Sequence, residues 1–466
     1  MGPYTRLVSG LLFPLHERLK AHDTVRVRRD LERSQWLDPE QLKSRQIRDL
    51  RRMLVDVGQS VPYYRDVFAQ AGFDPAAVCS LDDLGRLPLL TKSLIREHDQ
   101  ALVHPGAVGL GRSSTGGSSG EPLIFGLGRQ RVTHDVAAKW RATRWWGVDI
   151  GDPEVVVWAS PIELGAQDRV RLIRDAIFRT ELLPAFEMSE AKLDGFIQAI
   201  RARRPRMLFG YPSALAHVAR HAERRGVVMN DLGSRVAFVT GERLYDDQRA
   251  AISRVFGCPV ANGYGGRDAG FIAHECPLGG MHVTAEDIVV ELVAPDGRPV
   301  PAGTPGEVVV THLASRDYPF VRYRTGDVAV LDDRLCACGR GLPLLREIQG
   351  RSNDFVVSAD GTLMGGAALT YVLREVPGIE AFKIVQESRE LTRVMVVAGA
   401  LFPATGVAAI TARFQRRLGD AVRVEVELVD QIPPEKSGKY RYIISRVADA
   451  TRAPVQPSGQ APELPA

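Results

Sequence analysis

The chain has 466 residues, 45% hydrophobic and 25% charged, enough apolar material for two or three globular domains. Its 60 Lys and Arg against 56 Asp and Glu leave a net charge of only +4, which argues against a nucleic-acid-binding surface. No apolar run reaches the ~20 residues needed to span a bilayer, and the first residues lack the basic and apolar regions of a secretory leader, so a cytoplasmic protein with no membrane span is expected.

Near the start, Arg26, Arg28, Arg29 and Arg33 are interleaved with Asp23, Asp30 and Glu32, the pattern of a solvated helix face rather than a polyanion site. Residues 35–100 read as helical, with Leu42, Ile47, Leu50, Leu54 and Val57 at helical spacing and a break at Val61-Pro62. The run Arg112-Ser-Ser-Thr-Gly-Gly-Ser-Ser-Gly-Glu-Pro-Leu123 then crowds hydroxyls and glycines into a stretch too flexible for a helix or a central strand. Such a loop can wrap its backbone N–H groups around an anion, a nucleotide phosphate being the natural guest, and the plain alternative is a linker or turn. No G-x-x-x-x-G-K-[ST] occurs, because Gly438-Lys439 continues with Tyr440. Gly116–Gly120 does match G-x-S-x-G, but a nucleophile elbow needs a helix straight after it. Pro122 and the strand-like Leu123-Ile124-Phe125 follow instead, so a hydrolase built on Ser118 is not expected.

From residue 150 strands and helices alternate: strand Val155–Trp158, helix 191–203, strand Met207–Phe209, helix 213–225, strand Val236–Val239, helix 246–256, strand Pro259–Asn262. That alternation implies a largely parallel sheet with crossover helices, whose ligands sit beyond the carboxyl ends of its strands. Gly210-Tyr211-Pro212-Ser213, Thr240-Gly241-Glu242 and Gly263-Tyr264-Gly265-Gly266-Arg267-Asp268 follow those ends. After 286 come short antiparallel strands separated by Pro-Asp-Gly and Pro-Ala-Gly turns. A last unit begins near Arg351, with strand 354–357, helix 366–375, strands 379–386 and 393–398, helix 405–418 and strand 422–428. The expected fold is therefore α/β: a large N-terminal domain, 1–349, of mostly parallel sheet with crossover helices and an antiparallel segment, then a small α+β domain, 350–450. Residues 451–466, rich in Pro, Ala and Gln, are expected to be disordered.

The five cysteines are odd in number and unevenly spread, which fits a reducing compartment better than a disulfide framework. Cys276, His282, Cys336 and Cys338 supply three thiolates and one imidazole, a set that closes a tetrahedral Zn²⁺ site with no open position. The Cys-x-Cys pair is tighter than the usual C-x2-C, and reduced surface thiols beside a solvated histidine are the alternative.

Six segments in register resemble the adenylate-forming acyl ligases, specifically the phenylacetate-CoA ligase-like branch that includes CapK. They are Thr115-Gly-Gly-Ser-Ser-Gly-Glu-Pro-Leu123, Gly210-Tyr-Pro-Ser213, Tyr264-Gly-Gly-Arg-Asp268, Arg322-Tyr-Arg-Thr-Gly-Asp327, Gly350-Arg-Ser-Asn-Asp354 and Ser437-Gly-Lys439. The resemblance implies a two-step reaction: a carboxylate attacks the α-phosphate of ATP to give an acyl adenylate and pyrophosphate, then a thiol, commonly that of coenzyme A, displaces AMP. It implies that Lys439 bridges the carboxylate and the α-phosphate, where a preorganised cation counts most. It assigns Asp327 to the ribose hydroxyls, a role for an acceptor-only carboxylate, and Arg351 to the nucleotide. It places Tyr264 beside the adenine, with Gly265 and Glu242 implied in the same nucleotide site. Thr115, Gly117, Ser118, Ser119 and Gly120 would hold the outer phosphates while Mg²⁺, near Asp268, neutralises them.

The sequence departs from the family where Arg267-Asp268 replaces the common Thr or Ser followed by Glu, where Glu121 stands in place of a frequent Lys, and at Asn353, a place often acidic. Similar Cys/His sets occur in this branch, and the small domain is expected to rotate about Ser352–Asp354 between half-reactions. Coenzyme A is the expected acceptor; a carrier-protein thiol, an amine or a sugar hydroxyl is the alternative, as is an idle nucleotide-binding relative. The acid is not readable, and Trp145, Trp146, Tyr211, Phe238 and Gly265–Gly266 are the candidates to line its pocket.

Overall fold

The computed structural model describes residues 2–115, 123–158, 169–185, 188–351, 355–360, 363–365, 367–433 and 441–447. It opens on helical turns Pro3–Leu7, Val8–Leu12 and Phe13–Leu19, the middle one a π turn, followed by helix Thr24–Ser34. The arginine cluster of that helix is not wholly solvated. Arg28 is buried over the Trp140 ring, 4.5 Å from its centroid, and paired with Glu32 at 2.5 Å. Within 35–100 the long helix is Pro39–Ser60, started by Asp38, whose side chain accepts the Gln41 N–H, and by Pro39 in the first turn. Pro62 opens a second helix, Pro62–Gln70, because its fixed φ suits a first turn. Beyond it only short turns and Lys92–Glu97 are helical.

Strands β1 (Gly111–Ser114) and β2 (Ile124–Leu127) pair antiparallel. Strands β3 (Glu154–Trp158), β4 (Thr180–Pro184), β5 (Met207–Gly210), β6 (Val236–Thr240) and β7 (Val260–Gly266) form the parallel half of an eleven-stranded sheet, in the spatial order β4-β3-β5-β6-β7. The antiparallel segment continues that same sheet through β8 (Gly270–Glu275), β9 (Met281–Val283), β10 (Ile288–Val293), β11 (Pro305–His312), β12 (Tyr323–Asp332) and β13 (Leu344–Arg351), placed β7-β8-β9-β13-β12-β11-β10.

One face of the parallel half is covered by helices Glu190–Arg203, Pro212–Arg224 and Asp246–Phe256. Their Leu193, Ile197, Leu215, Val218 and Ile252 are buried in one cluster with Leu208, Ala237 and Val239. Gly257, at φ +62°, ends the third helix in the left-handed conformation that glycine adopts at least cost. The other face packs Phe209, Phe238 and Ala261 against Ala142 of helix Arg129–Trp145, which the sequence pattern did not reveal. Its buried positions include Arg131, Thr133, Arg141 and Thr143, so polar residues interrupt the apolar period on which such a reading depends.

The described chain divides into two compact units, one spanning Met1–Gly350 and a second starting at Arg351. The second holds the hairpin β14 (Phe355–Val357) and β15 (Leu363–Gly365), helices Ala367–Arg374 and Gly406–Leu418, and the strands β16 (Ile379–Gln386), β17 (Leu391–Ala398), β18 (Arg423–Leu428) and β19 (Ile443–Ser445). The last four form a sheet in the order β18-β17-β16-β19, with a core that includes Leu369, Ile384, Val394, Ile410 and Phe414. The tail 451–466 lies outside the described residues.

Candidate active site

The three segments singled out in the parallel half lie at the carboxyl ends of β5, β6 and β7, the third beginning inside β7, which runs on to Gly266. After β5, Tyr211 stacks on Trp158 with ring centroids 4.1 Å apart. Gly210 cannot carry a side chain, because a Cβ there would lie 2.4 Å from the Val157 carbonyl oxygen. Gly241, after β6, has φ +83° and would put a Cβ 2.9 Å from the Tyr211 ring. The neighbouring Glu242 accepts the Ser213 N–H at 3.2 Å, tying the first segment to the second.

Two tyrosine–aspartate pairs tie the third segment to the antiparallel half. The Tyr264 hydroxyl donates to Asp327 Oδ2 at 2.9 Å, and the buried Tyr323 hydroxyl donates to Asp268 Oδ2 at 2.6 Å. Asp327 is presented by a bulge. Glu307 of β11 faces Val328 and Val309 faces Arg324, so Thr325, Gly326 and Asp327 together oppose Val308. Gly326 supplies the positive φ, +80°, while Thr325 Oγ1 donates to the Val308 carbonyl and accepts the Asp327 N–H. Gly265 permits a close approach, since a Cβ there would meet the Gly270 carbonyl oxygen at 2.1 Å.

Beneath this turn sits a group that the sequence reading missed. Arg131, fully buried, pairs with Asp135 at 2.9 Å and directs Nη2 at the carbonyls of Asp268 and Arg267, 3.4 and 3.5 Å away. Burial and Arg131 push the His312 imidazole down to about 4, and its Nδ1 accepts the Ala314 N–H, so the ring is neutral. The signal was a glycine: at Gly270, φ +85°, a Cβ would lie within 3.0 Å of Arg131, Asp135 and His312.

Thr115 closes the base of the glycine-rich loop, accepting the Leu123 N–H on Oγ1 at 2.9 Å, and Arg267 donates to the Ser114 carbonyl at 3.3 Å. The described flanks of the loop are two strands paired with each other, so among the described residues no helix follows it as a nucleophile elbow requires. Gly117, Ser118, Ser119, Gly120, Glu121, Asn353 and Lys439 lie outside the described residues, and Arg351 is described only in its backbone, at the end of β13. Of the pocket candidates, Phe238 and Tyr211 belong to a file of rings with Trp158 and Phe209. Trp145 does not. It stands edge-on to His282, 5.5 Å away, and its indole N–H donates to Gln35.

Cys276, His282, Cys336 and Cys338 do come together, their ligand atoms all within 4.8 Å of one another. Cys276 follows β8, His282 lies in β9, and the other two sit between β12 and β13. Tetrahedral geometry with Zn–S near 2.3 Å and Zn–N near 2.05 Å requires about 3.8 Å between sulfurs and about 3.6 Å from sulfur to nitrogen. The Cys276–Cys336 separation is 3.7 Å and Cys338 Sγ–His282 Nε2 is 3.2 Å. Burial, Arg340 and Arg141 push His282 down to about 4, so it is in the neutral form that binds metals. Burial pushes the Cys276 thiol up to about 12, whereas at Cys338 the opposing effect of burial is outweighed by the Arg340 N–H and guanidinium, which hold it below the usual thiol range. Gly280 leaves room for the cluster, since a Cβ there would lie 2.6 Å from Cys336 Sγ.

Two family models match: AMP-binding enzyme over residues 183–313 and CapK C-terminal domain over 356–446. The phenylacetate-coenzyme A ligase of Thermus thermophilus is 25% identical over 446 residues, covering 91% of this chain and 95% of its own. Protein CapK of Staphylococcus aureus is 22% identical, covering 78% and 81%. Among solved structures, 2-hydroxyisobutyryl-CoA ligase in the postadenylation state shares the fold, with a TM-score of 0.71 at 24% identity over 88% of this chain and 90% of that one.

Proposed function

Because the chain belongs to the adenylate-forming ligases, in the branch that holds phenylacetate-CoA ligase and CapK, we propose that it activates a carboxylic acid with ATP and transfers the acyl group to coenzyme A. One observation carries the reading: the two tyrosine–aspartate pairs bond the end of β7 and the turn after it to β12, Tyr264 to Asp327 and Asp268 to Tyr323. With its hydroxyl bonded to Asp327, Tyr264 can offer a ring face to adenine. The Asp327 carboxylate, an acceptor only, suits the two ribose hydroxyls. Asp268, fixed by Tyr323 from one side and through its own backbone by Arg131 from another, is the residue for the Mg²⁺ that accompanies ATP. Thr115, Gly117, Ser118, Ser119 and Gly120 would enclose the phosphates, Glu242 and Gly265 would border the nucleotide, and Arg351 and Lys439 would supply positive charge, with Lys439 at the carboxylate and α-phosphate.

The small unit, 350–450, would carry Lys439 and move between half-reactions, with 352–354 as the hinge. The Cys276–His282–Cys336–Cys338 set would hold Zn²⁺ with four protein ligands, which leaves no position for a reacting water and makes the site structural. Its reduced thiols favour a cytoplasmic setting.

Pyrophosphate release from ATP, measured across a panel of acids with and without coenzyme A, tests the reading. Release that depends on one class of acid, with an acyl-CoA product, is expected. Release without a thioester would move the acceptor to a carrier-protein thiol, an amine or a sugar hydroxyl, and nucleotide binding without release would make the protein an idle relative.

A further inference from the structure

The N-terminal helical segment carries an apolar face that the described molecule leaves uncovered. Its inner side is anchored: Thr5 Oγ1 donates to Asp152 at 2.8 Å, and Phe13 packs edge-on to Trp140 and Phe178 at 5.0 and 5.7 Å. Its outer side presents Leu7, Leu11, Leu15 and Leu19, exposed by 46, 58, 53 and 80%. A spacing of four places all of them on one side of a helix, in a row about 18 Å long. Helix Arg169–Phe178 adjoins this segment, since the Tyr4 hydroxyl donates to the Ile177 carbonyl at 2.8 Å, and it adds Leu172 and Ile173, 56 and 61% exposed. The solvent side of a surface helix ordinarily carries polar residues.

Charge says what such a face would meet. Pro3–Lys20 and Arg169–Arg179 contain seven Lys and Arg against two acidic residues, 7 − 2 = +5, while the whole chain carries 60 − 56 = +4. Arg6, Arg18 and Lys20 are exposed on the leucine-bearing segment itself. We propose that this face docks on an anionic lipid surface, its leucines entering the boundary between headgroups and acyl chains and its arginines meeting lipid phosphates. A second copy of the chain is the poorer occupant, because a two-fold dimer presses a patch against itself and would bring two +5 surfaces together. The segment lies on the bilayer rather than in it: it runs only from Pro3 to Leu19, and among the described residues no helix is long and apolar enough to cross a membrane.

The test is sedimentation of the full chain with vesicles of phosphatidylcholine alone and of phosphatidylcholine with roughly one third phosphatidylglycerol. Binding to the anionic vesicles only is expected, weakened by added salt. Leu11→Glu/Leu15→Glu and, separately, Arg6→Glu/Arg18→Glu should each weaken it by ~10-fold or more, with melting temperature and pyrophosphate release unchanged. The arginine pair keeps the test decisive if the leucine pair fails to fold. Absence of binding to anionic vesicles, or binding that neither double variant alters, overturns the proposal. So does a dimer in sedimentation equilibrium that Leu11→Glu/Leu15→Glu dissociates, which gives the face to a second copy.

Discussion

Gly280→Ala probes the cysteine–histidine cluster without touching a ligand. The added methyl would stand 2.6 Å from Cys336 Sγ and 3.2 Å from His282 Nε2. An ordinary carbon–sulfur contact is near ~3.7 Å, so Cys336 would have to retreat by about 1 Å, several times the ~0.2 Å tolerance of a metal–ligand bond. A displacement of that size should weaken Zn²⁺ binding by at least the ~10- to 100-fold seen when the surroundings of a site are disturbed, or about 1.4 to 2.7 kcal/mol. The assay is metal content after dialysis against graded chelator, with melting temperature followed in parallel. Wild type is expected to hold about one zinc per chain and to melt lower once stripped. Leu278→Ala, in the same turn but exposed, serves as the control and should behave as wild type. If Gly280→Ala kept a full equivalent of zinc at every chelator concentration that wild type withstands, the tetrahedral assignment would be wrong.

Lys439→Ala should slow adenylate formation by ~10² to 10³-fold, the effect of losing one preorganised donor, with melting temperature nearly unchanged; an unaffected rate would move the role elsewhere. Tyr323→Phe removes the donor to Asp268, and a hydrogen bond to a charged group is worth about 1.5 to 3 kcal/mol, so KM for MgATP in pyrophosphate release should rise by ~10-fold or more. An unchanged KM would show that Asp268 does not meet the metal–nucleotide complex. Acid should destabilise the protein through His312, held at about 4 in the fold against about 6.5 when unfolded. The unfolded state therefore binds the extra proton first, and stability present above pH 6.5 is lost as pH falls towards 4. His312→Gln should flatten the melting temperature between pH 7 and 5, and an equally steep profile in the variant would assign the proton to another group.

The alternation between residues 191 and 266, with β3 before it, was legible because each crossover helix buries one apolar face and each central strand is apolar on both, so period and run length separated them, whereas helix Arg169–Phe178 and the edge strand β4 were not read. Helix Arg129–Trp145 and the Arg131–Asp135–His312 group were not, since Arg131 meets the carbonyls of Arg267 and Asp268, Asp135 meets His312 and Arg141 meets Glu286, all partners far along the chain. Asp268, Tyr264 and Asp327 could be named from motif order, but their joining through two tyrosine hydroxyls depends on strands that meet only in the folded sheet. The same holds for Trp145, whose neighbours Gln35, His282 and Arg340 come from three distant segments.

The excursion of Thr325, Gly326 and Asp327 opposite Val308 makes the position of Asp327 a matter of chain length as much as of residue identity. Deleting any one of the three would either shrink the excursion to two residues against one, displacing the carboxylate position, or slip the register by one and exchange the faces of every side chain from Val328 to Asp332. Gly326 is held by its φ and Asp327 by its partners, and the number of residues between Tyr323 and Val328 is held by the pairing on either side. A library randomised there in both length and sequence should therefore keep Gly326 and Asp327 and return almost no insertions or deletions.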